Sequence, residues 1–295
     1  MSTTVQLHAQ PANFQPDANY RRTRTCRAID EAIVLARASG TRVVLVSGPS
    51  GSSKTYAARH AAHRLGLPQY LLEISGATTA EDLIDRPWAD EDRRLVWIEQ
   101  GLTRAARAGG VVILDEFDLA SARLLGRLHS IFDSQGSLRL SSGEEFVPHK
   151  DFLVIACCNG LRRDGGGSYS TQSISSAFLG RAVFVAANYL SARDELGIYI
   201  QAGYTKDEAQ PVRDSLDSLR GMFKRGQLPI PPSIRMGLRV LAARRIGLSS
   251  KRAWQLALLD GLDVRLADEV YELIAASSIP ATIPPTEADH GTAST

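Results

Sequence analysis

The chain has 295 residues, 44% hydrophobic and 22% charged, a balance that excludes a disordered or fibrous protein and suits one or two globular domains. Its 34 Lys and Arg against 32 Asp and Glu leave a net charge of +2, and with no sustained basic tract this argues against nucleic acid as the main ligand. Three cysteines (Cys26, Cys157, Cys158) without metal-ligand spacing, no apolar run near the about 20 residues that span a bilayer, and a polar start lacking a leader pattern together predict a cytoplasmic protein with no membrane segment.

Residues 1–20 are polar, contain Pro11 and Pro16, and read as an N-terminal extension. Ile29, Ala32, Ile33 and Ala36 recur at helical spacing, and Gly40 supplies a stop. "RVVLVS" is short, β-branched and apolar on both faces, as a buried parallel strand should be. The Gly-rich "GPSGSSKT" then opens a helix from Lys54 to about Leu65, closed by Gly66. "YLLEIS" reads as a second strand, and Thr78 with Glu81 has the spacing of a capping box. "RRLVWIEQGLTRAARAGG" runs from a short hairpin into a helix ended by Gly109 and Gly110.

"VVILDEFD" is another buried strand, with two acids at its C-terminal end. Leu124, Leu125, Leu128, Ile131 and Phe132 form an apolar helical face, and "SLRLSSGEEFVP" alternates about Ser142-Gly143 as a β-hairpin does. "DFLVIACCNG" is a strand that ends at Asn159, followed by a loop with Gly165, Gly166 and Gly167, a short helix and the strand "RAVFVA". Adjacent Cys157 and Cys158 face opposite ways on such a strand. The alternation predicts an α/β fold, a parallel sheet sandwiched by helices, over residues 21–188. From residue 189 to 275 every segment reads as helix, which predicts a smaller all-helical domain, and residues 276–295 read as a disordered tail.

The order strand, Gly-rich loop, Lys-Thr, helix is that of a P-loop. Gly48 and Gly51 free the backbone so that amides can point at phosphate oxygens, with Pro49, Ser50, Ser52 and Ser53 completing the cradle. Lys54 would reach the outer phosphates, and the Thr55 hydroxyl would ligate magnesium. The strict pattern asks for glycine at position 53; a small serine is expected to be accommodated with a negative φ near the first helical turn. Asp115 is placed to hold the metal and Glu116 to polarise an attacking water, while Asn159 could orient that water or sense the γ-phosphate.

Together these residues resemble the AAA+ ATPases over about residues 22–275, with "GPSGSSKT" as Walker A, "VVILDE" as Walker B and "FLVIACCNG" ending in the sensor 1 asparagine. The segment before "QGLTRAARAGGVVILDE" and the hairpin before the sensor strand resemble the MoxR-type branch, and "YSTQSISSAFLGRAVFV" with "PPSIRMGLRVLAA" is most similar to the cobaltochelatase ATPase type. Some relatives also lack glycine before the Walker lysine. The resemblance implies that Arg181 is an arginine finger acting on a neighbouring subunit, although Gly180 stands where an acid often precedes it. It implies that Arg235 is the sensor 2 arginine, with Arg239 as its rival. Trp88 and Trp97 fall in or near an insertion that lines the pore side in relatives, where aromatics could grip a client; packing within the hairpin is the reading preferred for Trp97.

What the resemblance implies is a homo-oligomeric ring, a hexamer, that uses ATP and Mg2+ to remodel or activate a client protein, metal insertion among the possible tasks, with an adaptor partner recruiting the client. The alternative is a nucleotide-dependent scaffold or loader, in one form on DNA, with weak hydrolysis; Ser53 and Gly180 are the features that keep it open. A P-loop kinase is disfavoured by the Asp-Glu pair, the following asparagine and the large helical segment.

Overall fold

The computed structural model describes residues 14–16, 21–90, 92–133, 135–159 and 176–276. Most of the N-terminal extension, the Gly165–Gly167 loop and the tail after Ala276 therefore lie outside the described residues. The chain splits into two compact units, the first made of residues up to Pro49 and Ser53–Asn188, the second of Ser50–Ser52 and the residues from Tyr189.

The first unit begins with α1 (Arg24–Ser39), capped by the Thr23 hydroxyl on the Cys26 amide and closed by Gly40 at φ 74°. Then come β1 (Val43–Ser47), α2 (Lys54–Arg64), β2 (Gln69–Glu73) and the short α3 (Ala80–Leu83). The capping box of α3 is formed by Thr79 and Asp82, one residue later than Thr78–Glu81; Thr78 instead accepts a hydrogen bond from the Ser75 amide. A hairpin follows, β3 (Asp85–Ala89) with β4 (Leu95–Glu99), then α4 (Gly101–Ala108) and β5 (Val111–Asp115). After a 3-10 turn at Phe117–Leu119 come α5 (Ala122–Leu128), the small hairpin β6 (Leu138–Arg139) with β7 (Glu145–Phe146), β8 (Leu153–Cys158), α6 (Ser176–Leu179) and β9 (Ala182–Ala186).

Five strands form one parallel sheet in the order β2-β5-β8-β1-β9. Because side chains alternate across a strand, successive residues feed two different cores. Val43, Leu45, Val112, Leu114, Val154, Ala156 and Cys158 pack on one face with α4 and α5, whereas Val44, Val46, Ile113, Ile155 and Cys157 pack on the other with α1 and α2. Burial on both faces explains why these strands are continuously apolar. All three cysteines are free and buried.

One contact joins the two hairpins to each other and another ties both to α4. The buried Asp85 of β3 accepts from the amide and hydroxyl of Ser141, and Arg107 of α4 bridges Glu99 and Glu144 while its guanidinium covers the Phe146 ring. Phe14 lies edge-on to His60 and under the Arg59 guanidinium of α2, a contact with no signature in the sequence.

The second unit contains α7 (Ala192–Gln201), α8 (Lys206–Lys224), α9 (Ile234–Arg245), α10 (Ser250–Ala257) and α11 (Val264–Ala276). Their apolar faces meet around Tyr199, Leu216, Val240, Trp254 and Ile274. Inside this core Arg220 makes a two-pronged pair with Glu195, 2.7 Å on each side, and Glu195 also accepts from the Tyr199 hydroxyl. A Cβ at Gly237 would come within 2.1 Å of that hydroxyl oxygen, so α9 can approach α7 only with glycine there. Among the described residues no helix is long and apolar enough to cross a membrane.

Candidate functional site

In a parallel sheet the C-terminal ends of neighbouring strands share one edge, the usual place for a ligand. Here β1 pairs with β8, Ser47 opposite Cys158, and β8 pairs with β5, so the loops leaving all three strands emerge together. The Gly48 amide donates to the Cys158 carbonyl at 3.2 Å. A Cβ on Gly48 would fall 1.9 Å from the Ala187 carbonyl oxygen, so no larger residue fits. Pro49, Ser50 and Ser52 continue the loop, and Gly51 has φ 76°.

Ser53 departs from expectation. It takes the left-handed conformation, φ 63° and ψ 25°, rather than a negative φ. The loop keeps the backbone that glycine normally provides, at a strain of about 1–2 kcal/mol for a residue with a Cβ. The serine thus changes the energy of the cradle without changing its path.

The helix that starts at Lys54 turns its lysine back over the loop. Lys54 is 6% exposed, and its three N–H groups donate to the carbonyls of Gly48 and Pro49, both at 2.9 Å, and to Asn159 Oδ1 at 3.1 Å. Burial lowers its pKa; the neighbouring thiols and the carboxylates of Asp115 and Asp118 oppose that shift. Next to it, Thr55 Oγ1 lies 2.8 Å from each carboxylate oxygen of Asp115, sixty residues away in sequence. The same environment pushes the Cys157 thiol up to about 12, through burial first and Asp115 second.

Glu116 is left-handed too, φ 53°, and its amide donates to Asp115 Oδ1. Its carboxyl is held above the ordinary value by partial burial, then by Asp115, Glu73 and Asp118. Asp118, which sequence reasoning passed over, is 3% exposed and accepts the Asn159 amide at 3.1 Å. The third acid of "DEFD" was its signal. The structure thus brings Lys54, Thr55, Asp115, Glu116 and Asn159 to one point.

The remaining sequence candidates lie elsewhere. Arg181 stands just before β9 and pairs with Asp133 at 3.3 Å, an acid 48 residues away in sequence. Arg235 and Arg239 are exposed on the first turns of α9 in the helical unit, which Ser233 caps. Trp88 and Trp97 occupy opposite faces of the β3–β4 hairpin, 43% and 38% exposed, so Trp97 is not packed away as its hairpin position suggested.

A Mg-polyphosphate fits these residues. The Gly48 approach and the left-handed Gly51 and Ser53 shape an anion cradle, Lys54 is a cation within it, and Thr55 with Asp115 presents hard oxygen donors. Among the described residues no group of three or more His, Cys, Asp or Glu forms a metal site by itself.

Comparison with known proteins agrees with this geometry. Residues 43–182 match the family described as AAA domain (dynein-related subfamily). Protein NorQ of Paracoccus denitrificans is 27% identical over 249 residues, 83% of this chain and 90% of that protein. Denitrification regulatory protein NirQ of Pseudomonas aeruginosa is 29% identical over 243 residues, 81% of this chain and 85% of NirQ. Midasin of Dictyostelium discoideum is 28% identical over 191 residues, 63% of this chain but 3% of Midasin. Residues 43–182 thus match an AAA domain of the dynein-related subfamily, in keeping with the MoxR-type resemblance of the sequence.

Proposed function

We propose that this protein hydrolyses ATP with Mg2+ and uses the cycle to remodel or activate a partner protein. The observation that carries the reading is the Thr55–Asp115 contact beside Lys54: loop, helix start and strand end converge where a metal-bound triphosphate would need them. In this reading the loop from Gly48 to Ser53 and Lys54 bind the phosphates, and Thr55 and Asp115 hold the metal. When bound, the metal would neutralise developing charge on the phosphoryl oxygens. Glu116 accepts the proton of the attacking water. Asn159, fixed through its amide by Asp118, orients that water. Catalysis then rests on positioning and charge stabilisation.

Arg181, held by Asp133, serves a neighbouring copy's site, and Arg235 is the sensor of the helical unit. Activity therefore needs a homo-oligomer, proposed to be a hexameric ring. A relative named as a regulatory protein supports an effect on a partner rather than a stand-alone reaction. The client and an adaptor for it are proteins in this reading, metal insertion is one task that would suit it, and three free cysteines suit the cytoplasm.

Turnover per subunit, measured with magnesium as protein concentration rises, tests the proposal. A rate that climbs and saturates supports a site completed between copies, with Arg181→Ala abolishing the climb. Tight ATP binding with no turnover at any concentration, partner absent or present, would replace hydrolysis with the scaffold reading.

A further inference from the structure

Away from the nucleotide site, a cleft of ≈ 200 Å³ opens between the segment Gly76–Glu81, which runs from the loop after β2 into α3, and the start of α5. Arg123 and Arg127 line it, four residues apart and hence on one helix face. Both are exposed, and neither has a hydrogen-bond or ion-pair partner among the described residues. Two like charges so placed repel each other, a cost that an acid would remove. The carboxylate lining the same cleft is Glu81, so two guanidiniums face one acid and an excess of one positive charge remains. Glu81 already responds to them: its carboxyl is held below the ordinary value by its own backbone hydrogen bond first, then by Thr79, Arg123 and Arg127.

We propose that this cleft docks an acidic peptide segment of a partner protein, with one of its carboxylates on Arg123 and Arg127. A planar guanidinium matches a carboxylate with two parallel hydrogen bonds. The rest of the lining distinguishes a side chain from a bare ion. The buried Leu124 gives an apolar wall for the methylene stem of a glutamate, and the Ser121 oxygen accepts the Leu124 amide, leaving its proton free to donate. The cleft holds a side chain or two and is far too small for a folded element.

The site is separate from the phosphate cradle, so its test does not depend on nucleotide chemistry. The probe is a fluorescein-labelled hexaglutamate peptide, read by anisotropy on the full-length protein, beside the same peptide made of glutamine. The expected result is salt-sensitive binding of the glutamate peptide only, weakened about tenfold or more in Arg123→Gln/Arg127→Gln with unchanged circular dichroism. Arg123→Lys should fall between, because it keeps the charge and loses the fork. Equal affinity of wild type and double variant, equal binding of the glutamine peptide, or no binding by wild type would overturn the proposal. Inorganic phosphate that displaces the peptide at lower concentration than free glutamate, through the same arginines, would reassign the cleft to a phosphate ion and overturn the peptide reading.

Discussion

Ser141 donates to the Asp85 carboxylate from both its amide and its hydroxyl, at 2.8 and 2.9 Å, although 56 residues separate the two. Asp85 is 1% exposed, so those two donors stand in for the water it has lost. The contact clamps the larger hairpin to the smaller one, with Arg107 as a second clasp. Asp85→Ala should lower unfolding free energy by about 2–4 kcal/mol, since it strands two donors at once. Asp85→Asn, which keeps an acceptor, should lose less. Urea titration of both variants decides this.

Glu116 predicts a coupled effect on turnover and stability. Its carboxyl binds a proton more tightly in the folded protein than in the unfolded chain, because burial and three neighbouring acids disfavour its charge. The ionised form therefore costs stability at neutral pH, and the cost is relieved as pH falls through the raised folded pKa. Glu116→Gln should raise the thermal midpoint at neutral pH, with the gap closing on acidification. The same variant should retain ATP binding and lose about 100-fold or more in turnover. Wild-type turnover should fade at a higher pH than an ordinary glutamate would give. Paired thermal melts and a pH–rate profile report both signs.

Ser53 can be tested directly. Ser53→Gly relieves the left-handed strain but adds freedom to the unfolded chain, so a gain of at most about 1 kcal/mol is expected, with nucleotide affinity little changed. Ser53→Val puts a β-branched residue at positive φ and should lose both stability and nucleotide binding. Calorimetry with and without nucleotide measures each quantity.

In the helical unit, Arg220→Ala would leave Glu195 with no exposure and one hydroxyl for company. Removing one partner of a buried pair costs about 3–5 kcal/mol, enough to melt this unit first. Circular dichroism of the variant should show helix lost in an earlier, separate transition. Restoring volume without charge on both sides, Glu195→Gln with Arg220→Met, should recover part of it.

Most of the sheet was legible because its strands are buried on both faces, and a run such as "VVLVS" or "VVILD" leaves little room for another reading. The cradle was legible because glycines, lysine and threonine sit in one continuous stretch. What escaped the sequence was set by distance or by backbone detail. The serine at position 53 takes its φ from the loop around it rather than from its own preference. Asp133 meets Arg181 and Asp118 meets Asn159 only once the sheet has formed, and no local spacing announces either pair. The α3 cap slipped by one residue because Thr78-Thr79 and Glu81-Asp82 offer two overlapping boxes, and the turn at Ser75 claims the first threonine.

The adjacent thiols of Cys157 and Cys158 look into opposite cores from the middle strand of the sheet. Both are pushed well above the usual thiol range, chiefly by burial. A soluble alkylating reagent has no thiolate to attack while the strand is in place, and loosening one layer of helices uncovers only one of the two sulfurs. Mass spectrometry of briefly labelled protein, with adducts located by residue, would therefore act as a two-handed clock: adducts at Cys157, with Cys26 of the same core, time the opening of the α1–α2 side, adducts at Cys158 time the α4–α5 side, and adducts at both Cys157 and Cys158 in one molecule time the loss of the whole sheet.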